Sequence, residues 1–206
     1  MGGLGDVGQM LNFLFKPEPR VLRFRVDLDR CIEGIHYIAE LKPGVTQYYI
    51  GKIFYFADKA HFLDWGRPIS GDRYIAMEHG PAPSTIYDLL KGDAGEPDEV
   101  IDALLDRVEI KSDGSKRRVY SRGKGDFPHL AGTEREYLRK SVEEYGCKSF
   151  EEIKRLAHQE RAYVEAEDRF GLNNEMNLIR WVEELDADPE KVAANVEEQQ
   201  LFKRIT

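Results

Sequence analysis

A chain of 206 residues, 41% hydrophobic and 11% aromatic, carries enough apolar surface for one well-buried core and too much for wholesale disorder. No apolar run approaches the ~20 residues of a membrane helix, and two cysteines, Cys31 and Cys147, are too few for a disulfide framework or a zinc site. Of the net charge of −8, residues 1–132 contribute 20 acidic against 18 basic side chains, whereas residues 133–200 hold 18 against 10, a balance that repels phosphate backbones and suits a basic protein partner, or serves solubility alone.

Residues 1–26 form an N-terminal extension. Met10–Phe15 can make a short helix, and Pro17 and Pro19 then break any regular element. The start lacks a basic region and carries Asp6, so it does not read as a secretory signal. From Asp27 the pattern turns helical, with Leu28, Cys31, Ile32, Ile35, Ile38 and Ala39 at three- and four-residue spacing. Lys42-Pro-Gly44 ends this helix and Thr46 caps the next, Gln47 to about Asp64, with Gly66 as its stop. That second helix is apolar most of the way round, which predicts either a central place in the core or a second face for a partner.

Arg67 to Pro83 is rich in Gly and Pro and reads as an extended loop, with Tyr74 to Met77 a short extended piece. Ser84 is expected to cap a short helix ending near Gly92, and Pro97-Asp-Glu to open another. Arg107–Lys111 and Arg117–Arg122, separated by Ser-Asp-Gly-Ser, predict a β-hairpin. Thr133-Glu-Arg-Glu136 and Ser149-Phe-Glu-Glu152 both fit a capping box, and further helices are expected from about Asn174 to Leu185 and from Pro189 to Phe202. The expected fold is mainly α: a compact helical domain with one small β-hairpin and one Gly/Pro-rich loop.

Asp58, His61, Asp72, Glu78 and His79 make the one cluster with catalytic residue types, and a metal hydrolase built on Asp58, His61, Asp72 and His79 is the enzymatic reading. The structural reading has His61 and His79 bonding loop backbone. A metal would need three convergent ligands, and HExxH, CxxC, HxH and GxSxG are absent. No catalytic residue, metal or cofactor is therefore expected. Lys111, Lys116, Arg117, Arg118, Arg122 and Lys124 give the hairpin 107–124 a basic second half that can touch phosphates through Lys116, Arg117 and Arg118, or merely discourage edge pairing.

The segments Lys52-Ile-Phe-Tyr-Phe-Ala-Asp-Lys-Ala-His61, Gly66-Arg-Pro-Ile-Ser-Gly-Asp-Arg-Tyr74 and Ala76-Met-Glu-His-Gly-Pro-Ala-Pro-Ser-Thr-Ile-Tyr-Asp-Leu-Leu90 resemble, in order, the Panacea domain of the SocA-like antitoxin family, and Glu134–Ala166 resembles its last helices. The resemblance covers about residues 28–166. It implies domain bounds of 27–170, with 171–206 a C-terminal helical tail, and an antitoxin of a toxin–antitoxin system, cytoplasmic and in some cases carried by prophages. Such a protein neutralises a cognate toxin, here expected to be basic and encoded by an adjacent gene, through direct stoichiometric contact. Exposed aromatics beside the motif, Tyr48, Tyr55 and Trp65, are the expected contact residues. The motif residues His61, Gly66, Pro68, Asp72, Tyr74, Met77, His79, Gly80, Pro81, Pro83, Ser84 and Tyr87 are expected to be architectural, Asp72 and His79 satisfying buried backbone. The alternative is a DNA-binding regulator or mobile-element protein acting through the hairpin; neither nucleic acid nor membrane is the expected partner.

Overall fold

The computed structural model describes residues 21–92, 97–114, 116–184 and 188–202; the expected helix at Met10–Phe15 lies outside them. Helix α1 (Leu28–Leu41) starts where the Asp27 carboxylate accepts the Arg30 amide at 3.1 Å. Strand β1 (Val45–Thr46) leads into α2 (Gln47–Trp65), capped at its start by the Thr46 hydroxyl and closed by Gly66, whose φ of 71° only glycine adopts freely. Strands β2 (Tyr74–Met77) and β3 (Gly80–Pro83) come next, followed by α3 (Ser84–Lys91), α4 (Asp98–Arg107), β4 (Val108–Asp113) and β5 (Lys116–Ser121). Helices α5 (Gly132–Tyr145), α6 (Phe150–Ala157) and α7 (Arg161–Phe170), strand β6 (Asn174–Glu175), and helices α8 (Ile179–Glu183) and α9 (Pro189–Phe202) complete the described residues.

The fold is mainly α, with one β-hairpin more than the sequence suggested. Besides β4–β5, which β1 extends to the order β1-β5-β4, the Gly/Pro-rich stretch itself pairs as β2–β3, with Tyr74 opposite Pro83 and Met77 opposite Gly80. Its two prolines sit on the sheet's edge strand, where a missing N–H costs no ladder bond. The other edge of β2 is taken by β6, with Ile75 opposite Glu175 and Ala76 opposite Asn174. That pairing shortens the helix expected from Asn174 to α8, because a waiting strand edge outweighs weak helical propensity at two asparagines. Two caps also move. The N-cap of α3 is Pro83, not Ser84, and α5 starts two residues early, with Glu134 accepting the Ala131 amide at 2.7 Å in place of a Thr133 box. The Ser149–Glu152 box forms as expected.

Helix α2 divides two apolar clusters. On one side Ile50, Ile53, Phe54 and Ala57 pack with Ile35 and Ile38 of α1, Leu89 and Leu90 of α3, Leu104 and Leu138. On the other, Tyr55, Phe56 and Phe62 pack with Tyr74, Ile153, Tyr163, Met176, Trp181 and Val196. A helix with apolar groups on several sides is thus satisfied within this chain. The residues expected to form a tail supply Met176, Leu178, Ile179, Trp181, Val182, Ala193 and Val196 to the second cluster. The end of the expected N-terminal extension joins it as well: Leu22 is buried and bonds Asn177, Phe24 meets Phe62 edge-on, and Arg23 pairs with Glu175 at 2.8 Å. Gly71 (φ 67°) admits this segment, since a Cβ there would overlap the Arg25 carbonyl. Among the described residues no helix is long and apolar enough to cross a membrane.

Candidate functional site

The buried face of α2 fixes the loop that comes after it. Asp58 is fully enclosed and accepts from the amides of Ile69 and Ser70 at 2.9 and 3.0 Å, from the Ser70 hydroxyl, and from the Tyr74 hydroxyl at 2.8 Å. One carboxylate thereby ties α2, the loop and β2 together. Burial pushes its pKa up to about 6, and the bonds from Ser70, Tyr74 and Ile69 oppose a larger rise. Asp72 does the same for the next helix. It accepts from the amides of Thr85 and Ile86 at 3.0 and 2.9 Å, so the first turn of α3 is capped by a residue a dozen positions away. His61 donates from Nδ1 to the Arg67 carbonyl at 2.7 Å, and burial lowers its pKa.

Above this frame lies a cleft of about 290 Å³ between α2, the β2–β3 turn and α3. Gly51, Met77, Pro81, Pro83, Ile86 and Leu90 give it apolar walls, and Tyr48, Tyr87 and His79 surround them. Gly51 keeps α2 close to β3, since a Cβ there would lie 3.2 Å from the Pro83 ring. Lys52, 2% exposed, lines it from below. Its ammonium donates to the Pro81 carbonyl at 2.7 Å and stands 5.1 Å from the centre of the Tyr48 ring. Desolvation lowers its pKa to about 7. The Tyr48 hydroxyl is buried with no hydrogen-bond partner, and burial raises its pKa. At the rim, Tyr48 and His79 flank Phe150, with ring centres at 4.9 and 5.2 Å.

A family model, antitoxin SocA-like, Panacea domain, matches residues 50–163, more than half of the chain. The chain belongs to this family. No curated protein and no solved structure matches it.

The Panacea segment thus runs from Ile50 in α2 to Tyr163 in α7 and holds the Asp58 and Asp72 networks, the hairpin and Lys52. Its motif residues have definite places. Met77 accepts the Tyr163 hydroxyl at 3.0 Å, Gly80 takes a φ of 90° against Ala157 and Lys52, Tyr87 lies under Lys91 at 5.0 Å, and Pro68 lies with Gly66 and Arg67 in the loop after α2. His79 departs from expectation. It is exposed in the two-residue turn, and its ring contacts are Tyr48 and Phe150 rather than loop backbone.

The five groups considered as a catalytic set do not converge. Asp58, Asp72 and His61 each serve separate backbone segments, while Glu78 and His79 are exposed in the turn; among the described residues no three His, Cys, Asp or Glu side chains form a metal-binding group. Of the expected contact aromatics, Tyr55 must be withdrawn. It is 0% exposed, its hydroxyl donates to Glu160 at 3.0 Å, and Trp181 covers it. The chain's own C-terminal helices occupy the face that appeared free in sequence. Tyr48 is half-buried in the cleft wall, and Trp65 is 58% exposed at the end of α2.

The basic hairpin is partly consumed internally. Arg118 bonds Asp113 and the Gly44 carbonyl, Arg122 bonds the carbonyls of Leu105 and Val108, and Lys111 pairs with Glu109 at 3.0 Å. Lys116 is exposed and Arg117 half-buried. Sequence reasoning missed Lys52 and Phe150. Lysine ordinarily reads as surface, yet in a helix apolar most of the way round it meets protein whichever way it points. Phe150 was hidden because its place beside Tyr48 depends on α6 folding back over α2.

Proposed function

We propose that this Panacea protein is a non-catalytic antitoxin that neutralises a cognate protein toxin by direct stoichiometric binding. Membership of the SocA-like antitoxin family carries the reading. The contact surface is assigned to the exposed aromatics on and beside the matched segment: Phe150, 37% exposed with Tyr48 and His79 packed round it, and Trp65. Large aromatics dominate interface energetics because they bury much area at little conformational cost. The net charge of −8 suits a basic partner.

Co-expression with the product of a neighbouring gene is the test. That product alone should arrest growth, and the wild-type chain should restore it and co-purify in an equimolar complex. The double variant Phe150→Ala, Trp65→Ala should fold with a thermal midpoint lowered by no more than about 5 °C and bind the toxin at least about tenfold more weakly. A toxic neighbour that is neither rescued nor bound at micromolar concentration overturns the proposal.

A further inference from the structure

Every buried carboxylate of the described residues has partners fitted to it. Glu33 accepts from the amides of His129 and Leu130 and pairs with the His129 ring, and Glu134 accepts from Ala131 and pairs with Arg67. Asp58 is held by loop amides and hydroxyls, and Asp72 by the first amides of α3. Lys52 is treated differently. An ammonium has three donors, and the Pro81 carbonyl takes one; desolvation alone perturbs it, with no carboxylate acting on it. A second residue of the same cleft wall, Tyr48, has its hydroxyl buried without a partner. A buried cation with a single acceptor and a buried hydroxyl with none are both costly to maintain in a folded chain. Lys52 and Tyr48 both line one cavity, and its remaining lining is mostly apolar.

We propose that the cleft between α2, the β2–β3 turn and α3 is a binding site for a monocarboxylate carried on an apolar body. Lys52 and Tyr48 receive the carboxylate, while Pro81, Pro83, Ile86 and Leu90 enclose the body. Phosphate is disfavoured by the same geometry. Pro81 and Pro83 have no N–H, and the first amides of α3 are spent, Ser84 on the Arg73 carbonyl and Thr85 and Ile86 on Asp72. A polyanion would therefore meet one lysine and none of the first amides of α3. The volume of about 290 Å³ stands at the small end of ligand cavities, which run from about 300 to 1,000 Å³.

The test uses the full chain alone, so it is independent of any toxin. Calorimetric titration compares 3-phenylpropanoate with its amide, and acetyl-Leu-Phe bearing a free carboxylate with the amidated peptide. The acids should bind at least about tenfold more tightly than the amides. Lys52→Met should lose at least about tenfold in acid affinity, and Tyr48→Phe, which keeps the ring, about threefold. If the free acid binds more tightly, the site takes a small metabolite; if the peptide does, it takes a chain terminus. Equal binding of acid and amide, no binding at about 10 mM, or full affinity in Lys52→Met overturns the proposal. Should Lys52→Met not fold, the acid–amide comparison and Tyr48→Phe decide alone.

Discussion

Asp58→Ala is expected to lower the thermal midpoint by about 10 °C, corresponding to about 3–5 kcal/mol in a domain of this size. The carboxylate accepts from two amides and two hydroxyls inside the core, and alanine offers none of them an acceptor. Each stranded buried donor costs about 1–3 kcal/mol, with partial relief if the Ser70 and Tyr74 hydroxyls find each other. Asp58→Asn keeps the shape and one acceptor and should lose less than half as much. Circular dichroism melts of the three proteins measure the series. An alanine variant within about 1 kcal/mol of wild type would show that this network does not hold the loop to α2.

Lys52→Met is expected to act in the opposite direction, raising stability near pH 7 by about 2 kcal/mol. Burial lowers the ammonium from 10.5 to about 7. Below pH 7 the amine is protonated in both the folded and the unfolded chain, and the full desolvation cost, on the order of a few kcal/mol, is present. Between about 7 and 10.5 the unfolded chain holds a proton that the folded chain lacks, so wild-type stability climbs with pH. Above that range both states are neutral and the cost is gone. Methionine removes the cost and leaves the Pro81 carbonyl without its donor, a loss of about 1–2 kcal/mol. Tyr48 beside the ammonium, Glu78 and His79 in the turn, Lys154 of α6 and His158 at its C-cap all remain in the variant, and His158 loses the repulsion of the ammonium, which helps hold its pKa down. At about pH 8 and above, where the imidazole is neutral in both proteins, the difference between them isolates the lysine. Urea midpoints at about pH 6.5, 8 and 9.5 should show the variant's advantage shrinking and then reversing. A gap constant across that range would mean that burial does not perturb this amine.

Much of the frame could be read from residue spacing and end signals. Thr46, Gly66, Gly92 and the Ser149–Glu152 box act locally, within one turn of the backbone groups they satisfy, and they fall where the sequence indicates. The losses occur where a distant segment decides. Asn174 and Glu175 pair with β2 because a strand edge is waiting; α3 is capped by Asp72 across the hairpin; and Tyr55 is covered by Trp181, from a stretch that read as a tail. The motif spans the region of the cleft, since Lys52 and most of the cleft walls lie within it. It could not distinguish the residues that build the loop, such as Asp58 and Asp72, from those that face the cavity, because both kinds occur in one short run.

The position of α2 between the two apolar clusters makes the family segment and the folding unit different objects. Residues 50–163 include the wall but not all that leans on it: α1 and Val45 on one side, Leu22, Met176, Trp181 and Val196 on the other, all fall outside the match. A fragment cut at the ends of the match would expose both flanks of the helix that carries Asp58 and Lys52. The cleft is therefore bound mechanically to segments on both sides of the match. Sequence drift in either flanking region can reach it through α2 without altering a single motif residue.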